Sequence, residues 1–340
     1  MLKEMLELRN LPPLKEKAEM LDILQREEYG YLPPKPDRVD FYVQENIIRN
    51  FCAGNAVCNK VTAFCEMGDK RFAFPFYASM PTDGKKHPFF VHINFRSNIP
   101  DAYMPVEELI DGGFAVLSFC YEDVTSDSKD FTNGLAGVLY EKGKRGAHDA
   151  GKLALWAWAA QRVMDWAERQ QDALDLTHAV VCGHSRLGKT AMLAAATDKR
   201  FTHCYSNDSG SCGAAIARGK GGEKVEQICA RFPFWFCEKF NDYREKEEKM
   251  PFDQHYLAAC IAPRKLLIGS ASEDAWADPV AEMLCCLAAS AAFEKGFVCE
   301  DRLPEVDDCY LDGDIGYQLR RGLHYFSRTD WQRLMQFVMK

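Results

Sequence analysis

Residues 179–190 constrain the fold more than any other stretch of this chain. Four apolar residues lead into Gly183, Ser185 stands in the turn that follows, and Gly188 precedes the alanine-rich run 191–196. A short apolar run, a tight turn and a helix-forming run predict a strand, a sharp turn and a helix in succession. Two chemistries use such an arrangement. One is a nucleophile elbow with Ser185 at its tip. The other is a phosphate-binding loop, because residues 183–190 match Gly-x-x-x-x-Gly-Lys-Thr.

The strand-like segments fall into two classes along the chain. Stretches that alternate between apolar and polar residues predict antiparallel strands, and they lie at 41–43, 61–64 and 72–77. Continuous apolar runs predict central strands of a parallel sheet, and they lie at 89–93, 114–120, 179–182 and 265–269. We therefore expect antiparallel N-terminal strands that lead into a mainly parallel central sheet.

Helical stretches separate the apolar runs. The clearest spans 149–170 and is apolar on most faces, so we expect it to be buried against the sheet; the last spans 329–339. Strands that alternate with helices predict an α/β fold. No repeat or linker interrupts the pattern, so we predict a single domain over residues 1–340. Residues 1–36, with a helix at about 14–28, are expected to form a helical extension packed on that domain.

Composition limits the partners and the compartment. A net charge of −8 argues against a nucleic-acid partner, since binding to phosphates needs a basic surface. No apolar stretch approaches the length of a membrane span, and charges interrupt the first residues, so we expect no membrane partner and no signal peptide. The 14 cysteines include no Cys-x-x-Cys pair and are expected to be reduced, mostly buried thiols. Together these features predict a cytoplasmic protein, and they leave its oligomeric state open.

The residues downstream decide between the two chemistries of the 179–190 stretch. A phosphate loop needs an acid that holds Mg²⁺ at the end of another strand, and residues 204–208 are too polar to be a convincing strand of that kind. A nucleophile elbow needs an acid after a later strand and then a histidine near the C-terminus. Asp274 follows the apolar run 265–269, and His324 precedes the last helix. The order favours Ser185 as nucleophile, although each residue alone fits a plainer role in a turn or loop.

The same residues resemble a known family. Residues 183–190 resemble the Gly-x-Ser-Arg-x-Gly-Lys signature of carbohydrate esterase family 15, the glucuronoyl esterases, in its bacterial branch. Further similar blocks lie at 207–215, 251–257, 261–264, 273–279 and 322–324 with 330–331, so the resemblance extends over about residues 85–340. The blocks also resemble bacterial chains described as acetylxylan esterases. The resemblance implies a three-layer α/β-hydrolase fold with no metal and no organic cofactor.

The resemblance also implies roles for individual residues around Ser185. The family places its acid either at the position of Asp274 or, as a glutamate, at the position of Asp208. This chain has aspartate at both, and the shorter side chain at 208 favours Asp274, with Asp208 as an alternate acid. Elbow geometry makes the Arg186 backbone N–H an oxyanion donor. The resemblance adds the Arg186 side chain as a second donor; the alternative is a salt bridge that supports the elbow.

Three further positions match sugar contacts of the family. Lys189 and Glu223 would hydrogen-bond the hydroxyls of a glucuronoyl ring, and Trp276 would stack near it. The alternatives are a solvated lysine, a surface acid and a core tryptophan. The aromatic stretch 231–236 is expected to be buried core rather than pocket wall. Because Leu187 replaces the second glycine of the usual elbow motif, close helix packing is expected to depend on Gly188 and the alanines after it.

The predicted function is hydrolysis of a sugar ester by a serine nucleophile through an acyl-enzyme. A 4-O-methyl-glucuronoyl ester is the favoured substrate, and its partner is thus a small-molecule carbohydrate ester. One alternative is an acetylxylan esterase that deacetylates small oligosaccharides, the form of substrate a cytoplasmic enzyme would meet. Two other classes stay open: a nucleotide-binding protein that uses residues 183–190, and a non-catalytic binding protein with a hydrolase fold.

Overall fold

A twisted sheet runs through the whole computed structural model, which describes residues 1–99, 101 and 104–340. Its strands are β1 (Arg38–Gln44), β2 (Ala56–Met67), β3 (Lys70–Pro81), β4 (His87–Asn94), β5 (Ala115–Cys120), β6 (Leu174–His184), β7 (His203–Asn207), β8 (Lys265–Ala271), β9 (Cys309–Tyr310) and β10 (Ile315–Arg320). Their order across the sheet is β1-β2-β3-β5-β4-β6-β7-β8-β10-β9.

The sheet changes character along that order. Strands β1, β2, β3 and β5 pair antiparallel, and the run β5-β4-β6-β7-β8-β10 is parallel. The short β9 closes the far edge antiparallel to β10. The predicted antiparallel start and mainly parallel centre are therefore confirmed. The carboxyl ends of the parallel strands lie along one edge of the sheet, where ligands of open α/β folds bind.

Helices cover both faces of the sheet. They are α1 (Leu2–Glu7), α2 (Lys17–Leu24), α3 (Val106–Asp111), α4 (Gly134–Leu139), α5 (Lys152–Ala167), α6 (Arg186–Thr197), α7 (Val225–Arg231), α8 (His255–Ala259), α9 (Pro279–Ala289) and α10 (Arg328–Val338). Side chains of one strand alternate between the faces, and both sets are buried. Phe89 and Val91 of β4 belong to the core beneath α5 and α6, whereas Phe90 packs with Trp331 of α10. The fold thus has three layers.

Helix α5 lies where the apolar pattern at 149–170 placed a buried helix. All its residues except Gln161 are buried. Its two central tryptophans satisfy their ring N–H groups on backbone carbonyls, Trp156 on Thr125 at 3.2 Å and Trp158 on Pro34 at 3.0 Å. Of the helices described, α5 included, none is long and apolar enough to cross a membrane.

Some elements differ from the sequence expectations. The helix expected at about 14–28 is shorter, because α2 ends at Leu24 and a π-helical turn, Gln25–Tyr29, follows it. Strand β7 looked too polar in sequence, yet all its residues are buried. A polar side chain near its carboxyl end finds a hydrogen-bond partner inside the protein, since Ser206 Oγ donates to Ser209 Oγ at 2.8 Å. Strands β9 and β10 are not among the expected strands, although Ile315, Tyr317 and Leu319 of β10 alternate with less apolar residues.

The N-terminal residues contact the layer of helices that carries α8. The Tyr256 hydroxyl donates to the Pro13 carbonyl at 2.7 Å, and the His255 ring Nε2 lies 2.9 Å from the Pro12 carbonyl. Deeper in the molecule, the Tyr29 hydroxyl donates to the Cys212 carbonyl at 2.9 Å. The last of these contacts reaches the loop after β7, which lines the cavity described below with residues 208–210.

Candidate active site

The turn between β6 and α6 holds Ser185 in an unusual backbone conformation. Its φ is 57° and its ψ −127°, a region that side-chain-bearing residues rarely occupy. Two hydrogen bonds hold the turn: Ser185 N–H donates to Asn207 O at 2.8 Å, and Gly188 N–H donates to Ser185 O at 2.9 Å. Strain of this kind projects the serine away from the strand and the helix, at the carboxyl edge of the sheet.

Two glycines make the turn possible. A Cβ on Gly183 would lie 2.3 Å from the Leu187 carbonyl oxygen, so only glycine lets the helix begin this close to β6. A Cβ on Gly188 would lie 3.1 Å from Ser206 Oγ, on the neighbouring strand. Gly188 therefore provides the close packing that was expected of it in place of a glycine at 187.

The geometry does not support a phosphate-binding loop. Helix α6 begins at Arg186, directly after Ser185, so Gly188, Lys189 and Thr190 belong to the helix and not to a loop that could wrap around a phosphate. The Lys189 ammonium is buried and donates to the Ser209 carbonyl. The match of residues 183–190 to the phosphate-loop pattern is thus a coincidence of spacing.

Asp274 and His324 meet beside the elbow. Asp274 follows β8, and His324 lies between β10 and α10. Asp274 Oδ2 and His324 Nδ1 are 2.6 Å apart, so the Nδ1–H donates to the carboxylate and Nε2 is left as the basic nitrogen. Burial would raise the pKa of Asp274, but the hydrogen bond and charge of His324 outweigh it and hold that pKa below its usual value. The carboxylate therefore stays ionised beside the imidazole.

Asp208 lies next to this pair but bonds elsewhere. Its Oδ2 accepts from Arg320 Nη2 at 3.0 Å and from the Tyr325 N–H at 3.2 Å. Its buried Oδ1 has no hydrogen-bond partner among the residues that the structure describes. Burial first, and Glu282 after it, raise the pKa of Asp208 well above its usual value, against the opposing charge of Arg320.

Asp208, Asp274 and His324 also form a group whose geometry could accept a metal ion, since one ligand atom of each lies within 4.8 Å of the others. His324 and Asp274 bond to each other, and the Arg320 guanidinium supplies a positive charge on Asp208. That arrangement fits an acid–base pair better than a set of metal ligands.

His184, which precedes Ser185, packs against His324. The two ring centroids are 4.3 Å apart, and His184 Nδ1 lies 2.7 Å from Asn207 Oδ1. Burial, and then the neighbouring His324, lower the pKa of His184 to about 3. A neutral ring at this position supports the His324 imidazole without placing a second positive charge beside it.

Arg186, the residue after Ser185, is fixed by an acid that no sequence motif marks. Its Nη1 forms an ion pair with Asp127 Oδ2. Asp127 also accepts from Trp235 Nε1 at 2.7 Å and from the Tyr121 hydroxyl at 3.0 Å. The Arg186 guanidinium lies 4.7 Å from the Trp235 ring centroid and 5.5 Å from that of Phe232. The salt-bridge alternative for Arg186 is therefore present, and the same side chain still faces the cavity beside Ser185.

A cavity of about 350 Å³ brings the predicted residues together. Its wall includes every candidate from the sequence: Ser185, Arg186, Lys189, Asp208, Glu223, Asp274, Trp276 and His324. Lys189 and Glu223 are buried, so they are not a solvated lysine and a surface acid. Trp276 is 50% exposed, so it is not a core tryptophan.

One expectation about the cavity wall is only partly right. The stretch 231–236 was expected to be core, but Arg231, Phe232 and Trp235 line the cavity. Phe232 and Trp235 stack face to face, with centroids 3.9 Å apart and planes at 2°. Phe234, Trp235 and Phe236 are nevertheless buried in the core, as expected. Aromatic residues of a core and of a pocket wall look the same in sequence, because both are apolar and both avoid bulk water.

Comparisons with known proteins agree on one family. A family model described as glucuronyl esterase, fungi, matches residues 64–296. The curated "Carbohydrate esterase MZ0003" from an unknown prokaryotic organism is 38% identical over 238 residues, 68% of this chain and 55% of that protein. A 4-O-methyl-glucuronoyl methylesterase of Hypocrea jecorina (strain QM6a) is 29% identical over 286 residues, 82% of this chain and 56% of that protein. The chain thus spans about half the length of the curated relatives it matches.

Solved structures are similar over nearly the whole chain. A glucuronoyl esterase from Solibacter usitatus superposes with a TM-score of 0.86 at 29% identity and covers 96% of this chain and 91% of that one. A structure described as a promiscuous CE15 esterase from a marine bacterial metagenome has a TM-score of 0.84 at 29% identity, with 96% and 91% covered. These similarities confirm the expected three-layer α/β-hydrolase fold.

Proposed function

The chain belongs to carbohydrate esterase family 15, the glucuronoyl esterases, and on that premise we propose that it is a serine carboxylic-ester hydrolase acting on sugar esters. Esters of 4-O-methyl-glucuronic acid are the favoured substrate class, because several relatives carry that activity in their names. One observation carries the proposal: a serine at a strained elbow shares a cavity with a histidine that is hydrogen-bonded to a buried carboxylate.

The proposed reaction proceeds in two halves. Ser185 Oγ attacks the ester carbonyl while His324 Nε2 accepts the hydroxyl proton, and the tetrahedral intermediate collapses when the alcohol leaves with that proton. Water then attacks the acyl-enzyme, His324 accepts its proton, and the same proton returns to Ser185 Oγ as the acid is released. Asp274 orients the imidazole through Nδ1 and stabilises the imidazolium in both halves.

Charge that develops on the carbonyl oxygen needs donors aimed at it. The Arg186 N–H belongs to the first turn of α6, where backbone N–H groups have no partner within the helix. The Arg186 guanidinium would add a positive charge, held in place by Asp127 and by the Trp235 ring. Losing one such donor typically lowers the rate about 10²–10³-fold.

The rest of the cavity suits one sugar ring. A volume of about 350 Å³ is at the lower end of small-molecule sites. Lys189 and Glu223 supply a donor and an acceptor for ring hydroxyls, and the exposed face of Trp276 offers a surface on which a ring can stack. Burial, the larger effect, lowers the pKa of Lys189, whereas Glu223 opposes that shift.

A panel of esters tests this function. We expect wild type to hydrolyse methyl glucuronate, Ser185→Ala to lose that activity, and Ser290→Ala, a serine remote from the cavity, to keep it. Turnover of acetylated xylo-oligosaccharides alone would move the assignment to a deacetylase. No turnover of any ester, with identical ligand binding by wild type and Ser185→Ala, would indicate a non-catalytic binding protein.

We propose that the protein works in a reducing compartment, the cytoplasm. Its support is chemical: the 14 cysteines, all among the described residues, are free, and 12 of them are buried. In such a compartment the substrates would be small oligosaccharide esters rather than polymer. Recovery of the protein outside the cytoplasm after cell fractionation would contradict this placement.

A further inference from the structure

The histidine of the acid–base pair lies in an exposed loop. Its side chain is 45% exposed, and its neighbours Leu323 and Tyr325 are 67% and 40% exposed. Apolar packing therefore contributes little to the position of this loop. A general base must nevertheless be held within a fraction of an ångström of its working position, because a displacement of 1 Å can cost about 10²-fold in rate. Something other than the core must hold residues 323–325.

The side chain of Arg320 does so through backbone carbonyls. Arg320 ends β10, four residues before His324, and is only 5% exposed. Its Nη1 donates to Leu323 O at 3.0 Å and to Arg321 O at 3.3 Å, and its Nη2 donates to Tyr325 O. A single guanidinium thus bonds the carbonyls on both sides of His324.

Two carboxylates fix that guanidinium in turn. Arg320 Nε donates to Asp330 Oδ2 at 2.6 Å, at the beginning of α10, and Nη2 donates to Asp208 Oδ2 at 3.0 Å, in the loop after β7. Asp208 Oδ2 also accepts from the Tyr325 N–H at 3.2 Å. Tyr325 is consequently held at both its N–H and its carbonyl, and three separate elements converge on the loop.

We propose that Arg320 is a positioning residue that holds the His324 loop, and that Asp208 anchors Arg320 instead of serving as an alternate acid. The inference rests on the proposed function, in which His324 is the base. It accounts for an aspartate at 208, since Asp208 bonds the guanidinium and the Tyr325 N–H and not the imidazole. A carboxyl whose pKa burial raises is also a weak partner for an imidazolium, so Asp274 is the better acid.

The test compares four variants with wild type on methyl glucuronate. Arg320→Lys keeps the charge but cannot reach both carboxylates and three carbonyls at once. We expect its kcat to fall about 10–100-fold while KM stays within about twofold, because the sugar contacts do not depend on this loop. Phosphonylation of Ser185 by a fluorophosphonate should slow in parallel. Arg321→Gln, an exposed neighbour in the same loop, is the matched control and should behave as wild type.

Asp208→Asn and Asp274→Asn separate the anchor from the acid. Asparagine at 208 can still accept from Tyr325 and Arg320, so we expect kcat to fall by about tenfold or less. Asparagine at 274 loses the charge and favours the wrong imidazole tautomer, so we expect a loss of about 10³–10⁴-fold, the size seen for the same change in a serine protease triad. Amide hydrogens at 322–326 should exchange faster in Asp208→Asn and not in Asp274→Asn.

Each outcome decides a distinct point. Wild-type kcat in Arg320→Lys, or a loss in Asp208→Asn as large as in Asp274→Asn, overturns the positioning role. If Arg320→Lys does not fold, Asp208→Asn decides alone, by the size of its kcat loss. If wild type hydrolyses no ester and Ser185 is not labelled, the proposed function itself is refuted. That result differs from failure of the positioning role, in which wild type is active but the variants do not behave as expected.

Discussion

Replacing Asp127 with asparagine should weaken the hold on Arg186 without removing any atom of the cavity's catalytic residues. Asp127 uses two carboxylate oxygens to accept from three groups: Arg186 Nη1, Trp235 Nε1 and the Tyr121 hydroxyl. An asparagine of the same shape offers one acceptor oxygen, and its NH₂ group faces a donor. At least one donor therefore loses its partner, and Arg186 loses its counter-charge.

The structure sets the size of the effect. Asp127 is 8% exposed and Arg186 is 26% exposed, so the pair is neither a surface ion pair nor a fully buried one. Breaking a buried ion pair costs about 3–5 kcal/mol, and breaking an exposed pair costs less than about 1 kcal/mol. Because this pair lies between the two cases, Asp127→Asn should lower the unfolding free energy by about 2–3 kcal/mol. For kcat we expect a loss of about 10–100-fold, less than removal of an oxyanion donor, because the guanidinium remains but is free to move.

Urea unfolding and steady-state kinetics on methyl glucuronate measure both quantities. Asp312→Asn is the control, because Asp312 is 71% exposed and pairs with Lys340, so its unfolding free energy should stay close to that of wild type. Combining Asp127→Asn with Arg186→Met should cost less than the two single changes added together. Strict additivity, or a wild-type kcat in Asp127→Asn, would refute the link between Asp127 and the oxyanion site.

Three further changes test other parts of the account. Gly183→Ala places a Cβ 2.3 Å from the Leu187 carbonyl oxygen and should lower the unfolding free energy by more than about 3 kcal/mol. The control is Gly146→Ala, whose Cβ would have no atom nearer than 3.4 Å and should leave the unfolding free energy nearly unchanged. Similar losses in both variants would contradict the close packing of the turn at Gly183. Burial raises the pKa of Glu28 to about 8 from an unfolded value of 4.5, so the contribution of Glu28 to the unfolding free energy should fall by up to about 1.4 kcal/mol per pH unit from pH 5 to 8. Glu28→Gln should remove this contribution and make the pH slope less negative in urea titrations; an unchanged slope would assign the pH dependence to other groups. Trp276→Ala removes the ring proposed to stack on the sugar, so it should raise KM for methyl glucuronate about 3–10-fold. Because the ring is half-exposed, the unfolding free energy should change by less than about 1 kcal/mol. An unchanged KM would show that Trp276 does not contact the sugar.

The order of candidate residues along the chain was enough to predict the core of the site. Ser185, Asp274 and His324 each lie within four residues of the end of a strand, so their places at one edge of a parallel sheet could be predicted from strand and helix patterns. The structure does bring these three side chains to one cavity. The close packing of α6 against the sheet could also be predicted locally, because Gly188 and the alanines after it have small side chains.

Contacts between distant segments had no such signal. Asp127 precedes Arg186 by 59 positions, and no periodicity or motif connects the two residues. The bonds from Arg320 to the His324 loop go to backbone carbonyls, which every residue carries and which no side-chain pattern marks. Strand β7 was overlooked for a related reason, because its polar residues are buried by hydrogen bonds that only the folded chain supplies.

The central claim is that Ser185 is the nucleophile activated by His324. The most direct measurement is the site of covalent modification by a fluorophosphonate, mapped by peptide mass spectrometry in the presence and absence of methyl glucuronate. We predict one adduct, on Ser185, which excess substrate prevents from forming and which His324→Ala forms far more slowly. Ester hydrolysis that persists in Ser185→Ala, or an adduct on another residue with Ser185 unmodified, would contradict the account.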